Sequence, residues 1–69
     1  MRREPVTSSN VAEIGYDADS RILEVVFKTG SVYQYFEVPR QIYEALMQAS
    51  SIGGFINSNV KGQYRYARV

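Results

Sequence analysis

The chain contains no cysteine, no histidine and no tryptophan. Without cysteine, no disulfide or thiolate metal site can brace so short a polypeptide. Without histidine, the commonest general base and the commonest metal ligand are both missing. Ser8, Ser9, Ser50 and Ser51 have no imidazole to activate them, and nothing in the sequence places Lys28 or Lys61 beside one of them. These absences predict a protein with no enzyme activity, no cofactor and no bound metal. No apolar run approaches the ~18 residues of a membrane span, and residues 1–9 lack the apolar core of a signal peptide. Lack of cysteine suits a reducing compartment. The expectation is a small cytoplasmic protein with no membrane contact and no small-molecule substrate.

What is present fits one domain. The 69 residues are enough to bury roughly 60% of the unfolded surface. Charge is uneven along the chain. Residues 1–37 carry six carboxylates against four cations, whereas residues 38–69 carry four cations (Arg40, Lys61, Arg65, Arg68) against Glu44 alone. Such a distribution either attracts an anion or simply keeps a small protein solvated.

The longest β-prone stretch, Gly30 to Pro39, holds three aromatic residues and two valines and reads as a central strand. Residues 1–9 read as a flexible tail, with residues 10–69 as the domain. Asn10–Tyr16 reads as a first strand, with Gly15 marking a bulge. Asp17-Ala18-Asp19-Ser20 is a turn. Arg21–Lys28 is a second strand, with Leu23, Val25 and Phe27 on its apolar face.

The next hairpin decides where the tyrosines go. A two-residue Thr29-Gly30 loop puts β-branched Thr29 at positive φ, which it resists. A type I turn over Lys28 and Thr29 with Gly30 as a left-handed bulge fits better. Residue 25 then opposes 33 and 23 opposes 35, so Tyr33 and Tyr35 face the core; a one-residue slip sends both to the other face. Beyond Pro39, Ile42, Ala45, Leu46 and Ala49 form a helical stripe flanked by Tyr43 and Met47. A second helix over residues 53–60 is capped by Ser51 and stopped by Gly62. Residues 63–69 return to period two as a short strand. The predicted fold is α+β: an antiparallel meander of three strands, two helices on one face and a short C-terminal strand. Its predicted core is Leu23, Val25, Phe27, Tyr33, Tyr35, Ile42, Leu46, Phe55 and Val60.

Several polar groups invite a functional reading and have a plain alternative. Asp17 and Asp19 lack the further oxygens and closing Glu of a calcium loop and suit a turn. Gly53-Gly54 at a helix start could hold a phosphate, yet lacks the lysine of a P-loop. Asn57 and Asn59 could contact a ligand or only nearby backbone. One pattern points at a partner: Lys61, Tyr64, Arg65, Tyr66 and Arg68 interleave rings and cations. Rings stack on unpaired bases and guanidinium groups hold phosphates; equally, tyrosines pack at core edges with the hydroxyl in water.

Together these segments resemble a known family. They run from Val6-Thr7-Ser8-Ser9-Asn10-Val11 through Ile14-Gly15-Tyr16-Asp17 to Leu23-Glu24-Val25-Val26-Phe27-Lys28-Thr29-Gly30. Val32-Tyr33-Gln34-Tyr35-Phe36-Glu37-Val38-Pro39 follows, then Tyr43-Glu44-Ala45-Leu46, Phe55-Ile56-Asn57 and Val60-Lys61-Gly62-Gln63-Tyr64. Over residues 6–69 this is similar to the KTSC domain, including its central Tyr-x-Tyr at Tyr33 and Tyr35. The family is named for the C-terminal region of certain lysyl-tRNA synthetases and also occurs as a small stand-alone bacterial protein. The resemblance implies no catalytic residues and no aminoacylation. It suggests RNA binding, by analogy with the synthetase it accompanies. Two functions are therefore carried forward: a weak RNA-binding module of tRNA type, and an accessory domain docking on a synthetase or another protein.

Overall fold

The computed structural model describes all residues 1–69. Five strands form one antiparallel sheet in the order β1-β2-β3-β4-β5: Arg3–Pro5, Val11–Asp17, Ile22–Phe27, Val32–Tyr35 and Tyr66–Arg68. Helices α1 (Arg40–Met47) and α2 (Ile52–Asn59) lie between β4 and β5. The class is α+β as expected, but four strands precede the helices rather than three. The extra one, β1, comes from the segment read as a tail. It pairs with β2 in the register Arg3↔Gly15, Glu4↔Ile14, Pro5↔Glu13. All three of its residues are exposed, so it leaves no hydrophobic pattern in the sequence; its pairing is a backbone matter.

The β3–β4 hairpin forms as its turn chemistry dictates. Gly30 sits at φ +96°, its N–H bonds the Phe27 carbonyl at 2.9 Å, and the Phe27 N–H bonds the Ser31 carbonyl at 2.9 Å. Val25 then pairs with Tyr33 and Leu23 with Tyr35, which puts both tyrosines on the core face. In β2 the irregularity falls at Ala12, between Val11 and Glu13, and not at Gly15. The extra residue lets Val11 and Ile14, three apart, both point inward.

Ser51 caps α2 by accepting the Gly54 N–H at 3.1 Å. The Val60 and Lys61 N–H groups close the other end on the Ile56 carbonyl at 3.0 and 2.8 Å, and Gly62 at φ +78° turns the chain away. In α1, Leu46 is the buried residue. Ala45, expected in the stripe, is exposed, and the packed face runs through Ile42, Tyr43 and Met47 instead. The rotation follows Tyr43, whose ring stacks on Tyr16 at 4.9 Å and 9°. The Tyr16 hydroxyl in turn donates to the Val38 carbonyl.

The core comprises Val11, Ile14, Leu23, Val25, Tyr35, Val38, Leu46, Ile52, Ile56 and Val60. Phe27, Tyr33, Ile42 and Phe55 pack against it only partly buried. The opposite sheet face has no helix. There Glu24, 6% exposed, accepts from Arg3 Nε and, at 2.9 Å, from Gln34 Nε2. Gly15 stands between Arg3 and Glu24 in the register. A Cβ at Gly15 would meet the Arg2 carbonyl oxygen and the Met1 Sδ, each at 3.1 Å, so the bare glycine makes room for the N-terminal residues that pack over it. The Arg3 hydrogen bond, then that of Gln34, holds the Glu24 carboxyl below the usual carboxylate range against the opposing effect of burial.

Candidate functional site

Two helices of eight residues, each about 12 Å long, leave the β4–β5 end of the core face open. There the register aligns Tyr35 with Tyr66 and Tyr33 with Arg68. The inward positions of the two strands therefore build one aromatic cluster. Ring centroids lie 6.5 Å apart for Tyr33–Tyr35, 5.6 Å for Tyr33–Tyr66 and 5.9 Å for Tyr35–Tyr66. Phe27 meets Tyr33 edge-on at 5.7 Å. Exposure rises from Tyr35, 2%, through half-buried Tyr33 to Tyr66, 61%. Burial, with the phenols of Tyr33 and Tyr66 close by, pushes the Tyr35 hydroxyl above its ordinary pKa, so it stays neutral.

These rings floor an open groove of about 810 Å³, whose rim includes Asn10, Thr29, Ser31, Lys61 and Gly62. Lys61 reaches the rim because α2 ends there and Gly62 turns the backbone. Arg68 lies on the same face of β5 as Tyr66, and its Nη2 donates to Ser31 Oγ at 3.1 Å. The groove lining contains no carboxylate. Flat apolar faces, hydroxyls and two cations suit a ligand with a planar ring and negative charge.

The structure divides the five residues singled out by sequence. Lys61 and Tyr66 line the groove, with Arg68 at its border. Arg65 goes elsewhere: its Nη2 pairs with Glu37 Oε1 at 3.0 Å and its guanidinium lies 5.9 Å from the Phe36 ring centroid. Tyr64 precedes β5 and packs, half-buried, against the core. It therefore does not share a strand face with Tyr66. Sequence reasoning placed Tyr33 on the core face, leaving packing and recognition both open to it, and did not single out Asn10, Thr29 and Ser31. The repeated Tyr-x-Tyr at 33–35 and 64–66 was the available signal, since it joins Tyr66 to the first pair.

Gly54, Asn59 and Asp17 are used locally. The Gly54 N–H is taken by Ser51, which removes one donor from the imagined phosphate cradle. Asn59 Nδ2 donates to the Phe55 carbonyl at 3.4 Å. Asp17 Oδ1 accepts the Asp19 N–H at 3.1 Å, and hydrogen bonds from Ser20 and Asp19 hold its carboxyl below its ordinary pKa.

The KTSC domain profile matches residues 7–64. A protein of Stutzerimonas stutzeri (strain A1501) is 41% identical over 70 residues, covering 100% of this chain and 99% of that one. A lysine–tRNA ligase of Trichormus variabilis contains a segment 34% identical over 61 residues; the match covers 88% of this chain and 11% of the ligase. The crystal structure of a KTSC domain protein from Yersinia pestis superposes with a TM-score of 0.96 at 38% identity, over 99% of this chain and 96% of that one. No helix is long and apolar enough to cross a membrane.

Proposed function

The chain belongs to the KTSC domain family, and from that premise we propose that it is a non-catalytic RNA-binding module whose contact surface is the tyrosine groove. The observation that carries this reading is the coincidence of Tyr66, 61% exposed, with Lys61 and Arg68 around a groove that no carboxylate lines. Stacking supplies sequence-tolerant affinity and the cations meet phosphates. A matching segment within ligases that join lysine to tRNA supports a nucleic-acid partner. The contact set is Tyr33, Lys61, Tyr66 and Arg68; Arg65 and Tyr64 are outside it.

With two cations the affinity is modest, near the non-specific range of about 10⁻⁴–10⁻⁶ M. The test is an NMR titration with tRNA and with unstructured RNA at low and high salt. Shifts are expected at Ser31, Tyr33, Lys61, Tyr66 and Arg68. The log–log salt slope should be roughly −1.4 for two phosphates on a single strand. No shift at low salt rejects the reading and leaves docking on a protein partner as the function to pursue.

A further inference from the structure

The geometry of the rings limits how a base can enter. Aromatic rings in contact have centroids about 4.5–7 Å apart, and all three tyrosine pairs fall in that range. The cluster is already closed on itself. A base inserted between two of its rings would have to prise them apart and expose Tyr35, the buried member. Tyr33 has Phe27 edge-on against it and Tyr66 on its other side. Only Tyr66 turns a broad face to solvent. Arg68 stands two residues further along the same strand, about 7 Å away, steadied by Ser31. Lys61 stands at the rim formed by the end of α2.

Building on the RNA reading, we propose that the groove takes a single unpaired nucleotide of an RNA chain. Its base stacks on the outer face of Tyr66, and its two flanking phosphates meet Lys61 and Arg68. The site therefore selects single-stranded over double-stranded RNA. In a duplex every internal base already has neighbours on both faces and is paired at its edge, so it has no face to offer. A duplex meets only the cations. One base on one ring also gives no base-edge code, so the preference is for strandedness and not for sequence.

The test compares a short labelled oligouridylate with a blunt RNA duplex, by fluorescence anisotropy at low salt, for the unaltered protein, Tyr66→Phe and Tyr66→Leu. Leucine keeps an apolar cover over Tyr33 and Tyr35 but has no flat face. Its fold is verified by the dispersion of its amide NMR spectrum. The unaltered protein and Tyr66→Phe should favour the single strand over the duplex by about tenfold or more. Tyr66→Leu should lose about tenfold to a hundredfold on the single strand and keep the weak duplex binding. Equal binding of duplex and single strand, or equal binding by the Leu and Phe variants, overturns the single-nucleotide inference while the RNA reading stands. Uridine monophosphate competing as well as the oligomer overturns it too, because a mononucleotide has one phosphate for two cations. Binding of neither RNA at low salt removes both.

Discussion

Replacing Leu46 by alanine tests how α1 is seated on the sheet. Leu46 is fully buried, and it is the buried residue of its helix. The substitution removes three carbons, worth ~0.8 kcal/mol each on transfer, or roughly 2.4 kcal/mol. The cavity left in the core that Leu46 shares with nine other buried residues raises the cost to about 3–4 kcal/mol. At ~0.05–0.15 kcal/mol per residue, a domain of this size has about 3–10 kcal/mol in all. Leu46→Ala should therefore lower the melting temperature by about 12–30 °C, with a matching fall in the urea midpoint followed by circular dichroism. Ala45 is the companion measurement. The 3.6-residue spacing placed it in the apolar stripe, but the structure exposes it, so Ala45→Gln should stay within ~0.5 kcal/mol of the parent. A large loss from Ala45→Gln with little from Leu46→Ala would show that α1 is rotated differently and would refute the packing described. Phe27→Ala belongs in the same series. Full burial implied ~3–5 kcal/mol; partly buried beside Tyr33, Phe27 should cost about 2 kcal/mol and rank below Leu46.

The other expected outcomes concern polar contacts. Tyr16→Phe keeps the stack on Tyr43 but strips the hydrogen bond from the buried Val38, and should cost about 1 kcal/mol or more in urea denaturation. The Glu24 carboxyl is held below its ordinary value of 4.5, so its contribution is complete above about pH 4.5 and is lost as pH falls through the lower folded value. Urea midpoints measured against pH should therefore fall more steeply in acid for the parent than for Glu24→Gln. Arg65→Ala should leave RNA affinity and salt slope unchanged, because Arg65 is paired with Glu37 away from the groove. Arg68→Ala should weaken binding and flatten the single-strand slope by about 0.7, half of its value. Equal losses from the two arginine variants would move the interface out of the groove.

Turn and cap chemistry was legible because it is local. Gly30 admits one comfortable register for the hairpin, and that register settled the face of Tyr33 and Tyr35. Ser51 and Gly62 bracketed α2 for the same reason. The unread parts depend on partners distant in sequence. Arg3-Glu4-Pro5 becomes a strand only because β2 offers it an edge and Glu24 holds Arg3 from two strands away. The bulge at Ala12 shifts the parity of β2, which hid Val11 and Ile14 from a period-two search. Val38, read as the end of a run, is fully buried beneath a hydroxyl from residue 16. For the site, composition picked out the C-terminal cations and rings as a group. It could not tell that Arg65 would pair with Glu37, twenty-eight residues earlier, or that Tyr66 would complete a cluster begun by Tyr33.

The sheet is open, and its outermost strands govern what can grow from it. Each is three residues long. On β5 the Arg65 carbonyl and Val69 N–H already bond Phe36 and Val32, which leaves chiefly the backbone groups of Tyr66 and Arg68 facing outward. On β1, Pro5 has no N–H to give. An incoming strand would gain only a few hydrogen bonds at either side, too few to set against the freedom it loses on ordering. The fold thus ends its own ladder at both margins. It can sit at high local concentration, or within a much longer polypeptide, without templating sheet growth from its neighbours.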